Sequence, residues 1–147
     1  MVVTTLLKRR PVAFSRLDAD DAFIALLIAA MDASGHVSAE EAARAHNIIW
    51  STRRFRHRSG DRVGRKIDRM RTLVEKHGAS PVIEAAAQHI PRRLRAAAFA
   101  VAADLVLVDG RMERLEGRFL RGLATDLRLD RQAAKNILGV IRLKNSA

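Results

Sequence analysis

The chain has 147 residues, no cysteine and a formal net charge of +11 at pH 7. Its apolar fraction of 48% and charged fraction of 29% are those of a soluble globular protein, and its length suits one domain. The lack of cysteine excludes disulfides, thiolate metal sites and cysteine nucleophiles. The longest clean apolar run, residues 22–31, is shorter than the roughly 20 residues of a membrane span. The N-terminal charges follow the apolar residues, the reverse of a secretory signal, so we expect a soluble, cytoplasmic protein.

The first half of the chain predicts two helices followed by a basic one. Three aspartates, Asp18, Asp20 and Asp21, precede an apolar run, and acids suit the positive end of a helix dipole. The run continues almost unbroken to Met31, so this helix should be buried on most sides. A Ser-Ala-Glu-Glu capping box that begins at Ser38 predicts the start of the second helix.

The rest of the chain predicts the end of the basic helix and up to four further helices. Apolar residues at helical spacing run through residues 63–74, and Gly78 should end that helix. Ser80 and Pro81 mark the next start, with serine as the cap. The remaining helices are expected at about Arg92–Val108, Met112–Leu127 and Arg131–Val140, the last capped by Asp130. Because no stretch alternates with a period of two, the predicted fold class is all-α with about six or seven helices.

An internal repeat of helix, acidic turn and helix organises the chain. Residues 28–49 and 105–124 align once a two-residue insertion is allowed in the first copy. Each copy carries an Asp, a Gly and a Glu six residues after the Gly, at Asp32, Gly35, Glu41 and at Asp109, Gly110, Glu116. The repeat predicts a single domain over residues 1–147. Related helix-turn-helix units at about 18–50 and 91–127 would pack around a pseudo-twofold core, with a basic helical connector at about 53–78.

The doubled Asp-Gly…Glu hairpin resembles the TerB family of tellurite-resistance and stress-response proteins. It is also similar to the N-terminal domain of some membrane-anchored DnaJ-like co-chaperones. The resemblance covers roughly Ala22–Leu129, and its second copy fits better than the first, which has two extra residues. It implies an all-helical fold of paired hairpins, an acidic turn proposed to bind metal ions, and work beside membrane-associated stress proteins.

The acidic turns have two interpretations. In the first, the glycine closes the turn and the acids stabilise the next helix through its dipole or pair with exposed arginines. In the second, the acids bind a metal ion, because Glu113 and Glu116 lie three residues apart on one side of a helix. Carboxylates without cysteine select Ca²⁺, Mg²⁺ or Mn²⁺, here bound weakly because neighbouring arginines oppose a cation. The candidate metal ligands are Asp32, Glu41, Asp109, Glu113 and Glu116.

Positive charge is concentrated in residues 53–71, which hold nine lysines and arginines against two aspartates. This segment is either a solvated helix face or a surface that binds an anion. The anion would be the phosphates of RNA or DNA, the anionic leaflet of a membrane, or an acidic protein partner. The membrane neighbours of the resembling family favour the last two. The candidate binding residues are Arg53, Arg54, Arg56, Arg58, Arg62, Arg65, Lys66 and Arg69.

The sequence contains no nucleophile elbow, Ser/His/Asp pattern or phosphate loop, so we expect neither catalysis nor a small-molecule substrate. The leading hypothesis is a TerB-like module of tellurite resistance or stress response that engages a protein partner, such as a membrane-associated stress protein. It would reside in the cytoplasm, including the inner face of the membrane. The alternative is a small nucleic-acid-binding protein that uses a basic helix at Arg53–Arg71.

Overall fold

Helices account for all the regular structure of the described chain. The computed structural model describes residues 17–33, 39–108 and 112–147. Its helices are α1 (Ala19–Ala33), α2 (Ala39–Ser51), α3 (Gly60–His77), α4 (Ala79–His89), α5 (Arg95–Val106), α6 (Arg114–Asp126) and α7 (Arg131–Asn145), with a 3₁₀ turn at Arg92–Leu94 before α5. The predicted all-α class with six or seven helices is confirmed.

Helix α1 lies at the centre of the molecule. Every residue from position 20 to position 30 is buried, as the unbroken apolar run predicts. Its neighbours are α3, α4 and α5, with α2 in lighter contact. Alanines supply much of the contact surface on α1, α4 and α5, including Ala25, Ala86 and Ala102, which are fully buried. Small side chains let helix backbones approach closely, so a core poor in aromatic residues still reaches close packing.

The predicted basic helix is interrupted, because residues 53–58 form turns and α3 begins only at Gly60. Phe55 explains the interruption. It is fully buried and packs its ring edge-on against Phe23 of α1, with the ring centroids 5.9 Å apart. Seating this ring in the core bends the chain, and the N–H groups of Phe55 and Arg58 donate to the turn carbonyls of Thr52 and Phe55, each at 2.9 Å.

Gly78 and Asp130 mark helix ends as predicted, whereas α4 begins before its predicted start. Gly78 ends α3 at a φ of +83°, a conformation that glycine adopts without strain, and its N–H donates to the Val74 carbonyl at 2.8 Å. The same glycine caps α4, which begins at Ala79, so the prediction of a start at Ser80 and Pro81 was wrong by two residues. The predicted cap Asp130 is confirmed, because its carboxylate accepts the Ala133 N–H at 3.1 Å.

Helix α7 runs five residues beyond its predicted end at Val140 because its last turn is tied to α5. Lys144 Nζ lies 3.0 Å from Asp104 Oδ2, and the Asn145 amide donates to both Asp104 Oδ1 and the Leu107 carbonyl at 2.8 Å. Asp104 of α5 therefore forms an ion pair with Lys144 of α7. These contacts close the open carbonyl end of α5 with an amide donor.

The two predicted repeat units correspond to the pairs α1–α2 and α5–α6, and α1 and α2 both pack against α5. The turn residues 34–38 and 109–111, including the predicted cap Ser38, lie outside the described residues. The pseudo-twofold relation between the two units stays a prediction. Among the described helices, none is long and apolar enough to cross a membrane.

Candidate functional site

The three aspartates at the start of α1 do more than the sequence pattern indicates. Asp18 and Asp21 form a reciprocal cap: Asp18 Oδ1 accepts the Asp21 N–H at 2.7 Å, and Asp21 Oδ2 accepts the Asp18 N–H at 3.2 Å. This is a capping box built from two aspartates instead of a serine and a glutamate. It satisfies two backbone donors at the end of the most buried helix in the molecule.

Asp20, between these two caps, is the anchor for the turn after α2. Its side chain is only 7% exposed and pairs with Arg54 Nε and with Arg58 Nη2, the latter at 3.1 Å. A carboxylate so nearly buried needs compensating positive charge, and two guanidinium groups supply it here. Sequence reasoning missed this pairing because 34 residues separate Asp20 from Arg54. The sequence feature that could have indicated this pairing is the third aspartate, because capping α1 requires only two.

Lys66 of α3 joins the same network from the other side. Its Nζ lies 2.9 Å from Asp18 Oδ2 and 2.8 Å from Asp21 Oδ1, and Arg69 Nη2 approaches Asp21 Oδ2 at 3.8 Å. Burial by itself lowers the pKa of Lys66, but the hydrogen bonds to Asp21 and Asp18 outweigh it and raise the pKa above 10.5. Burial likewise favours a higher pKa for Asp18, yet the Asp21 N–H and Lys66 hold that pKa below its ordinary value.

The network divides the eight predicted anion-binding residues into two groups. Four of them, Arg54, Arg58, Lys66 and Arg69, turn inward to the aspartates of α1. The other four are exposed and have no ion-pair partner within the described chain. We call these four the arginine surface: Arg53, Arg56, Arg62 and Arg65. The net charge of residues 53–71 is +7 in sequence, and adding the three aspartates of α1 reduces it to +4.

The arginine surface is polar throughout. The large exposed hydrophobic residues of the described chain lie elsewhere, at Met112, Leu115, Val140 and Leu143. Phe55, the only aromatic residue within 53–71 other than His57, is fully buried. At about 100° per residue along α3, Arg65 lies near the middle of the exposed face, with Arg62 about 60° to one side and Asp61 and Asp68 about 40° and 60° to the other. The exposed face of α3 therefore carries guanidinium groups beside two carboxylates, and no large hydrophobic side chain is exposed within residues 53–71.

The acids at the start of α6 form a second capping box. Glu113 is the N-cap, its side chain accepts the Glu116 N–H, and Glu116 Oε2 accepts the Glu113 N–H at 3.1 Å. Glu113 is exposed and Glu116 is half-buried. This geometry agrees with the structural interpretation of these two acids, since each serves the helix start. Because Glu113 is exposed, its carboxylate can still accept hydrogen bonds from solvent.

The structure does not describe the remaining predicted metal ligands together. Asp32 is exposed on the last turn of α1. Glu41 belongs to α2, but the structure does not describe its side chain. Asp109 lies outside the described residues. Among side chains that the structure describes, no three acids or histidines are grouped closely enough to hold an ion. The metal site through the acidic turns stays a prediction.

Comparison with known proteins decides the family. The family model described as "Tellurite resistance protein TerB" matches residues 20–138. The chain belongs to the TerB family. The match begins at Asp20 and ends within α7, so it includes the ion-pair network except Asp18, the arginine surface and the acidic start of α6. No curated protein matches the chain, and no solved structure does.

Proposed function

We propose that this chain is a non-catalytic TerB-family module of tellurite resistance or stress response, which acts by binding. The observation that carries the proposal is the family match over residues 20–138, which spans most of the chain. The absence of cysteine supports a binding function, because this chain has no thiol with which to reduce tellurite directly. The proposed ligands are a divalent cation at the acidic turns and a protein partner beside the membrane.

The cation part of the proposal rests on the start of α6. Glu113 and Glu116 lie on the same helical turn, and Asp109 precedes Glu113 by four residues. The cation would share Glu116 with the capping box, and the surrounding arginines oppose its positive charge. We therefore propose weak binding of Ca²⁺, Mg²⁺ or Mn²⁺, with a dissociation constant on the order of 10⁻⁴ M or weaker.

Isothermal titration calorimetry tests this part directly. The wild type is titrated with each cation beside an Asp109→Asn/Glu116→Gln variant, in which glutamine keeps the oxygen that accepts the Glu113 N–H. An Asp61→Asn/Glu75→Gln variant is the matched control, because it loses the same two charges on the exposed face of α3. Binding that disappears only in the first variant supports the proposal. A wild type that binds no cation at millimolar concentration contradicts it.

The protein-partner part of the proposal rests on the family resemblance to modules that work beside membrane-associated stress proteins. The described chain offers an exposed apolar pair for such a contact, Val140 and Leu143, which lie one helical turn apart on α7. Their side chains are 65% and 75% exposed, whereas leucines of a folded domain are mostly buried. A partner helix or loop that covers this pair would remove apolar surface from water.

A further inference from the structure

We infer that the arginine surface binds the phosphate backbone of a double-stranded nucleic acid without reading its sequence. This inference is independent of the cation and protein partner proposed above. It starts from the division of the basic residues, because four of them pair with the aspartates at the start of α1 and the other four pair with no described acid. Arg53, Arg56, Arg62 and Arg65 stabilise no described ion pair, so the fold itself gives no reason for their charge.

The inward residues fix the positions of the outward ones. Arg54 and Arg58 pair with Asp20, and Phe55, which lies between them in the chain, is buried in the core. Arg53 and Arg56 alternate with these anchored residues, so the turn that carries them is held at several points. A surface held in place before binding loses less conformational entropy when a ligand arrives.

The identity of the exposed cations indicates phosphate as the ligand group. All four are arginines, whereas Lys66, the only lysine among the eight predicted residues, pairs with Asp18 and Asp21. The planar guanidinium group donates two parallel hydrogen bonds to a phosphate, whereas an ammonium group acts as a point charge. Two of the arginines lie on the turn and two on the first two turns of α3, which spreads the donors over several neighbouring phosphates.

The surroundings of the arginine surface distinguish among phosphate-bearing partners. Proteins that hold single strands stack successive bases on several exposed aromatic rings, whereas Phe55 is buried and His57 supplies the one exposed ring within residues 53–71. Peripheral membrane helices insert apolar side chains, and no large hydrophobic side chain is exposed within residues 53–71. A duplex requires neither, because its backbone presents about one negative charge per 1.7 Å and binds cations through counterion release.

The two aspartates on α3 limit how the duplex is approached. Asp61 lies four residues before Arg65 and Asp68 three residues after it, so both carboxylates neighbour Arg65 on the helix surface and repel phosphates that approach it. Removing these two charges, as Asp61→Asn/Asp68→Asn, should therefore tighten binding. Contacts of this kind carry no sequence information, and different duplexes should bind with similar affinity.

Fluorescence anisotropy with a labelled duplex of about 20 base pairs tests the inference through its salt dependence. With four phosphate contacts, the dissociation constant should weaken on the order of 100-fold between about 50 mM and about 200 mM salt. In the Arg53→Gln/Arg56→Gln/Arg62→Gln/Arg65→Gln variant, the slope of log affinity against log salt should become less negative by about 3 to 4.

The matched control is Arg118→Gln/Arg121→Gln/Arg131→Gln/Arg142→Gln, which removes the same charge from exposed positions on α6 and α7. Circular dichroism checks that both variants stay folded. A retained slope in the control and a reduced slope in the first variant support the inference. Equal losses in both variants overturn it, because they indicate attraction by net charge alone. Binding to vesicles of phosphatidylserine or to single strands in preference to the duplex also overturns it.

Discussion

At the scale of single residues, Asp126 is the acid whose environment opposes its charge. It is the last residue of α6 and is exposed, yet partial desolvation of its carboxyl group raises its pKa above the ordinary value of 3.8, and the negative charge of Glu84 on α4 raises the pKa further. Because the folded pKa exceeds the unfolded one, the protonated carboxyl group favours folding. That contribution is lost as the pH rises through the folded pKa, so the ionised group opposes folding at neutral pH.

We predict that Asp126→Asn raises the melting temperature at pH 7. The amide has a similar shape and no charge, so the repulsion from Glu84 disappears. Thermal unfolding at pH 7 and near pH 3 measures the effect, and the gain should shrink at the acidic pH, where Asp126 is itself protonated. Asp61→Asn on the exposed face of α3 is the control, and a decrease in melting temperature for Asp126→Asn contradicts the prediction.

At the scale of elements, the contact between the start of α1 and the turn after α2 depends on Asp20. It is the single carboxylate that receives both Arg54 and Arg58. These arginines are 24% and 41% exposed, so water can partly replace the lost contact. The cost of removing Asp20 should therefore lie below that of breaking a fully buried pair.

We predict that Asp20→Ala lowers the free energy of unfolding by about 1 to 3 kcal/mol, the range for lost hydrogen bonds to charged groups. Urea denaturation measures the loss. Hydrogen exchange should also show faster exchange at the amides of Phe55 and Arg58, whose turn the ion pairs hold. Asp61→Ala, at an exposed position, should stay within about 0.5 kcal/mol of the wild type. Equal effects of the two substitutions would show that the network contributes nothing measurable.

At the scale of the whole molecule, stability should depend on pH through the aspartate network. The pKa of Asp18 is lowered, so its contribution is present above its ordinary value of 3.8 and is lost as the pH falls through the folded pKa. The pKa of Lys66 is raised, so its contribution is complete below 10.5 and is lost as the pH rises through the folded pKa. The net charge of +11 grows on acidification and adds self-repulsion.

We predict that the urea midpoint decreases as the pH falls below about 4 and that Asp18→Asn reduces this decrease. Asparagine remains a good cap, so the substitution removes the ion pair with Lys66 while it retains the start of α1. Urea titrations from neutral pH to about pH 2.5 make the comparison. The idea fails if wild type and variant lose stability in parallel over this range.

Local patterns in the sequence determined most of the helices and the class of the fold. Apolar spacing and caps act within a few residues, so Gly78 and Asp130 mark helix ends whatever packs around them. The unbroken apolar run of α1 predicts its burial for the same reason. The resemblance to TerB proteins, carried by a short motif and its duplication, is confirmed by the family match. Whether the acidic turns bind a metal ion stays a prediction.

Only the tertiary structure decided which charges remain exposed. In the sequence, Arg53 and Arg54 are adjacent and chemically equal, yet Arg54 is bound to Asp20 and Arg53 faces solvent. The turn at residues 53–58 likewise follows from the seating of Phe55 against Phe23, a contact across 32 residues of chain. Ion pairs and ring contacts depend on distances in space, and a charge or a ring carries the same local pattern whether or not its partner lies nearby. The sequence therefore determined most of the helices and where the positive charge is concentrated, and packing around α1 decided which arginines pair with its aspartates.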